Sequence, residues 1–268
     1  MLRYDPPDLS ETTLVQLASL SSRVEIRVGR QAQYKFASKL FSAKRPAAAF
    51  DEVKSSLKSV APQIDACYYC ERDRHRDIDH IVPKSIDPEL AFTWENYAFS
   101  CTICNQDAKR SKYTVVNDDG ELIDCRNIIG TDLEKPAGVD AFINPRTENG
   151  LDFFDLDLET GILLVKPDLD EVSKIRANFT RSTLDLNADG LSRTRRGAYN
   201  GFVRYMRAID DAITANDTEK VARIIQEFEE MGHPTVVMEV WRQRADLSDV
   251  GKLIEKIGHM LRNINNAD

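Results

Sequence analysis

Apolar residues recur at helical spacing over most of the chain and alternate at strand spacing only in short stretches. Ser10 followed by Glu11 opens a helical pattern that carries Leu14, Leu17 and Leu20. A longer pattern runs from about Arg30 to Ser42, with Tyr34, Phe36, Leu40 and Phe41 on the apolar side and Lys35, Lys39, Lys44 and Arg45 on or near the polar side. Pro46 ends it, and a third helix is expected over 47–60, before Pro62. From Asp168 onward the pattern is helical throughout. It predicts helices near 168–184, 190–215, 217–231, 234–246 and 248–264, broken at Asn187-Ala188-Asp189-Gly190, Asn216-Asp217 and Gly232-His233-Pro234.

The strand signals lie between these two helical blocks. Asp77-Ile78-Asp79-His80-Ile81-Val82 alternates and stops at Pro83. Asn117-Asp118-Asp119-Gly120 reads as a turn between Tyr113-Thr114-Val115-Val116 and Glu121-Leu122-Ile123, hence a hairpin. Phe142 to Arg146 and the stretch 153–165 suggest further strands, with Glu159-Thr160-Gly161 as a turn. The aspartates of 152–157 alternate with Phe and Leu, which is the pattern of a half-buried strand before it is that of a second metal cluster. The fold class expected is α+β, mainly α-helical. Four segments are expected: a helical 1–62, a compact 63–113, a β-containing connector 114–167 and a helical 168–268.

Cysteine spacing changes this picture most. Cys67/Cys70 and Cys101/Cys104 form two Cys-x-x-Cys pairs that bracket 30 residues. Each such turn can aim two thiolates at one ion, and two of them make a closed tetrahedral set suited to structural zinc. The bland alternatives are a zinc ribbon that only staples a binding module, or two redox pairs. Cys125 is left over and reads as a small buried apolar residue. The bracketed segment adds Asp79 and His80 in an Asp-x-Asp-His run, then Trp94-Glu95-Asn96-Tyr97, and Asn105 directly after the last metal cysteine on a helix expected to begin near Cys101.

Residues 67–112 resemble the HNH endonucleases of the ββα-metal, or His-Me finger, class in their four-cysteine form. The resemblance covers 46 of 268 residues and implies a ββα-metal module with structural zinc set in a helical scaffold. It further implies that His80 is the general base, Asp79 and Asn105 ligands of a catalytic Mg²⁺ or Mn²⁺, and Asn96 a brace of the loop between strand and helix. These residue types suit the roles. An imidazole of ordinary pKa near 6.5 accepts a proton near neutrality, and a hard dication prefers oxygen ligands. His75 sits among Arg72, Arg74 and Arg76 and reads as a loop or phosphate-contacting residue. Arg74, Arg76, Lys84, Lys109 and Lys112, with Arg110, flank the expected site and could meet phosphate; exposed basic residues are more often plain surface.

Charge bears on the partners. The net charge of −8 argues against a simple basic DNA-binding protein. The basic residues are nevertheless concentrated, nine against three acidic over 23–58 and eight against two over 173–207, whereas 114–172 holds four against fifteen. Contact with DNA, or with RNA, is therefore expected from those two segments and the acidic remainder is expected to suit protein partners. The stretch from Thr183 to Asn187, followed by Gly190 to Arg196, resembles the region after the motif in HNH proteins of Septu- and retron-type anti-phage defence. That resemblance implies an ABC-type ATPase partner, and this chain carries no Walker motif of its own. The opening residues have no apolar core and no apolar run reaches the roughly 20 residues of a membrane helix, so a cytoplasmic protein with no membrane partner is expected. The alternatives are a non-catalytic zinc-stabilised nucleic-acid or protein-binding module, and a restriction- or homing-type nuclease, for which no reader motif is present.

Overall fold

A computed structural model describes residues 1–44, 48–60, 66–72, 76–229 and 233–265. Helices dominate, small antiparallel sheets sit between them, and the chain forms two compact units. One comprises residues 1–154 and 165–186, the other 155–164 and 187–268.

The first unit opens with helices α1 (Glu11–Glu25), α2 (Arg30–Lys44) and α3 (Ala48–Ser59). Ser10 caps α1 by accepting from Thr13 N at 3.3 Å. Leu17, Leu20 and Val24 form the inner face of α1, whereas Leu14 lies on the outside. Strand β1 (Arg76–His80) pairs antiparallel with β2 (Tyr97–Cys101), from Arg76 opposite Cys101 to His80 opposite Tyr97. All five residues of β2 are buried. Its run Tyr-Ala-Phe-Ser-Cys has no polar alternation, so periodicity gave no strand signal there. The 3₁₀ turns Pro88–Phe92 and Trp94–Asn96 join the two strands.

The helix expected near Cys101 is Ile103–Lys109 and is of π type: Arg110 N reaches back five residues to Asn105 O at 2.7 Å. Next come β3 (Thr114–Val116), β4 (Leu122–Asp124) and β5 (Val139–Asp140), in sheet order β4-β3-β5. The β3–β4 hairpin turns where predicted, with Gly120 at φ +79.

Residues 142–146, expected as a strand, form none. Their backbone groups find partners outside any ladder: Thr180 Oγ1 of helix α5 (Glu171–Thr183) accepts from Ile143 N at 3.0 Å, and Arg176 of the same helix donates to Phe142 O at 3.3 Å and to the nearby Asp140 O at 2.7 Å. Glu148 accepts from Asn144 N at 2.8 Å, and Tyr4 N donates to Pro145 O at 2.7 Å. Pro145 has no N–H to offer a ladder. The start of the next expected strand is instead the short helix α4 (Gly150–Phe153), which runs into β6 (Phe154–Leu156); β7 (Leu163–Val165) pairs with it.

The second unit packs α6 (Asp189–Thr214), α7 (Thr218–Glu229), α8 (Pro234–Gln243) and α9 (Ser248–Asn265). Its core gathers Ile209, Ala212 and Ile213 of α6, Val221 and Ile224 of α7 and Ile257 of α9. Arg242 pairs with Glu239 and with Asp155 of the 155–164 hairpin. Among the described residues no helix is long and apolar enough to cross a membrane.

Candidate active site and metal centre

The four cysteines converge. Cys67, Cys70, Cys101 and Cys104 are buried, with their sulfurs all within 4.8 Å of one another and Cys70 Sγ 3.7 Å from Cys101 Sγ. Zn–S bonds of about 2.3 Å in a tetrahedron set sulfurs ~3.8 Å apart, so the donor set fits zinc in size and softness. Cys104 N lies 3.4 Å from Cys101 Sγ and points a donor at it, the usual support for a thiolate in a Cys-x-x-Cys turn. Among the described residues this is the one group of three or more His, Cys, Asp and Glu side chains close enough together to hold an ion. Cys125 is buried elsewhere, its Sγ directed at Ile123 O.

Beside this centre an open cleft of about 420 Å³ is lined by Asp77, Asp79, His80, Lys84, Asn105 and Arg110. Strand β1 is its floor, and Tyr34, Phe41 and Ser42 of α2 form one wall. Asp79 and His80, adjacent in a strand, turn to opposite faces. His80 goes to the α2 side, where its ring lies 4.6 Å from that of Phe41 and 5.3 Å from that of Tyr97. Its Nε2 lies 3.0 Å from Ala91 O. A carbonyl only accepts, so Nε2 carries the proton and Nδ1 is left with a free lone pair. Burial, and behind it the charges of Lys84 and Lys109, pushes the His80 imidazole down to about 3, so the ring is neutral but a weaker proton acceptor than the ordinary imidazole near 6.5 expected from the sequence.

Asp79 faces the zinc side and is 4% exposed. Tyr69, the residue before Cys70, donates to its Oδ2 at 2.8 Å, and Lys109 Nζ lies 3.1 and 2.9 Å from its two oxygens. Burial, with the neighbouring Asp79 charge, holds the Tyr69 phenol well above its usual pKa and so keeps it a donor. A carboxylate offers about four lone-pair sites. Three are engaged here, and Oδ1 retains one. Asn105 lines the same cleft and is half-buried, and it and Asp79 both carry oxygen atoms, the donor type that a hard dication prefers. Asn96 is buried; its Oδ1 accepts from Val82 N at 2.8 Å, and its Nδ2 donates to Val82 O and Leu90 O, both at 3.0 Å.

The basic residues divide. Lys84 lines the cleft, with its ammonium 5.3 Å from the Phe41 ring centroid. Lys112 lines a different depression, with Asp124, Arg126 and Phe179. Lys109, expected to reach phosphate, is 1% exposed and turned inward to Asp79. Arg74 and His75 lie outside the described residues, as does the side chain of Arg76. Sequence reasoning missed Tyr69 and the inward role of Lys109. A tyrosine beside a metal cysteine and a lysine four residues after Asn105 were visible, but their partner could not be read without the strand pairing.

A family model for HNH endonuclease matches residues 67–111. A search of curated proteins finds no match to the chain. Residues 67–111 are thus an HNH endonuclease domain by family match, and the buried four-cysteine cluster within them fits the zinc centre of such a module.

Proposed function

We propose that this protein is a divalent-metal-dependent endonuclease that hydrolyses phosphodiester bonds of DNA at the cleft on β1. The observation that carries this reading is that Asp79, His80 and Asn105 line one open cleft beside the four-thiol centre, an arrangement for which a bare zinc ribbon has no use. Cys67, Cys70, Cys101 and Cys104 would hold zinc. Asp79 and Asn105 would hold Mg²⁺ or Mn²⁺, which supplies electrostatic stabilisation of charge developing on phosphate and leaving oxygen. His80 accepts the proton of the attacking water at Nδ1. Ala91 O holds the ring through Nε2–H, and Phe41 and Tyr97 pack against it, so the lone pair is presented without a search for orientation. Lys84 and Arg110 bring positive charge to the cleft.

Cleavage of plasmid DNA with Mg²⁺ or Mn²⁺, by the parent protein and by His80→Ala, tests the reading. Loss of a general base lowers turnover by about 10²- to 10⁴-fold, with zinc content and fold unchanged. Full cleavage by a folded His80→Ala protein would overturn it. The narrower reading, an effector of an anti-phage complex with an ATPase subunit, is supported by the sequence pattern at 183–196 and by the acidic charge of the chain. Copurification from the native host, with identification of the bound subunits, tests that part; a chain recovered without an ATPase would remove it.

A further inference from the structure

Lys109 is the least exposed charged side chain at the cleft, and its three ammonium hydrogens all have partners inside the protein. Nζ lies 3.1 Å from Asp79 Oδ1, 2.9 Å from Asp79 Oδ2 and 2.5 Å from His80 O. No donor remains for a phosphate. The Phe142 ring lies beyond the ammonium, 6.0 Å from it. The helix that delivers Lys109 is the π-type turn Ile103–Lys109, and the next residue, Arg110, has φ +50. A π turn at this place and a positive φ at a non-glycine residue are both local costs that the surrounding structure must hold in place. What they achieve is the placement of the ammonium against the end of β1.

This geometry bears on the ion. The carboxylate that the proposed activity uses as a metal ligand already has a cation on it. Lys109 balances the Asp79 charge when no ion is bound and ties the helix to the backbone of His80. An arriving dication meets a ligand whose charge is compensated and whose free lone pairs are reduced to one. Two cations on one carboxylate a few ångströms apart repel each other, so the ammonium lowers affinity for the ion while it keeps the ligand oriented.

Resting on the nuclease reading, we propose that Lys109 is a built-in counterion of Asp79: a positioning residue that holds the site assembled without metal and weakens its hold on the divalent ion. The test is calorimetric titration of the zinc-loaded full-length protein with Mn²⁺, which does not depend on turnover. Lys109→Gln keeps a donor and removes the charge. It should bind Mn²⁺ tighter by about tenfold or more, and Lys109→Arg should bind it as the parent does. A Lys109→Gln protein that binds Mn²⁺ no tighter than the parent overturns the proposal, as does the absence of binding by both.

If Lys109→Gln fails to fold, the parent alone decides. The Lys109 ammonium resonance, followed by NMR during Mg²⁺ addition, should shift as the carboxylate is shared. A resonance unmoved at saturation overturns the proposal. Either negative outcome alongside His80-dependent cleavage leaves the nuclease reading standing. Absence of cleavage by the parent with every divalent ion, together with tighter Mn²⁺ binding by Lys109→Gln, removes the nuclease reading and keeps the counterion.

Discussion

Asp79 and His80 are neighbours in sequence that answer to different parts of the molecule. One is held by Tyr69 and Lys109, the other by Ala91, Phe41 and Tyr97. The two can therefore be perturbed separately. Phe41→Ala removes a ring packed on His80 and on Phe50, and should cost about 3–5 kcal/mol of stability. It should also lower cleavage without changing zinc content, as metal analysis beside an activity assay would show. Asn96→Ala leaves Val82 N without its acceptor in a buried place. Each buried group so stranded costs ~1–3 kcal/mol, and denaturant unfolding should show at least one such increment. At this scale the residue types were legible from sequence because chemistry constrains them. Their directions were not, since the partner of a side chain depends on which strand lies opposite.

The elements differ in how far local sequence decides them. The long helices followed from periodicity and caps, and Asp170, whose carboxylate accepts from Ser173 N at 2.9 Å, starts α5 within a few residues of the expected position. Strand β2 and the stretch 142–146 did not follow, the first because burial on both sides erases alternation, the second because α5, Glu148 and Tyr4 together supply its hydrogen bonds. Arg176 is the staple there, bonded to Asp140 O and Phe142 O and ion-paired with Glu148. Arg176→Met should lower stability by about 1–3 kcal/mol, the cost of leaving a buried carbonyl such as Phe142 O without its donor. The β6–β7 turn makes a second element-scale prediction. Gly161 sits at φ +75, and a Cβ there would come 2.1 Å from Ser192 O. Gly161→Ala should thus destabilise the second unit by more than the ~1 kcal/mol of a simple left-handed penalty, measured as a lowered thermal midpoint.

At the scale of the whole molecule, the apolar positions of the C-terminal region fall into two groups. Val240 and Ile257 are buried, and Leu253 packs against the core of the second unit. Trp241 is 56% exposed and Met238 49%. Deletion of 248–268 therefore removes core as well as surface, and should unfold the second unit before it reports on any partner. Trp241→Ala is the gentler probe of docking: its stability should stay within about 0.5 kcal/mol of the parent's, as for an exposed site, while a complex that uses this face would weaken in copurification. Net charge acts at this scale too. With −8 overall and, among the described residues, only Lys84 and Arg110 as basic lining of the cleft, the isolated chain should bind DNA weakly even at low salt and lose affinity with a shallow slope as salt rises, which binding titrations at graded salt would show. The concentration of basic residues was legible in the sequence, but the inward turn of Lys109 was not, and it takes one of them away from the substrate.

The register of β1 on β2 makes the cleft sensitive to strand length as well as to residue identity. His80 opposes Tyr97 and Asp79 opposes Ala98, and a slip by one residue would exchange the faces of every side chain on the strand. A one-residue shift of β1 would send the imidazole toward Lys109 and the carboxylate toward Phe41, with every residue type still present, and a one-residue shift of β2 would turn over its buried side chains instead. A change in strand length would thus erase the site in a single step even with Asp79, His80 and Cys101 all retained.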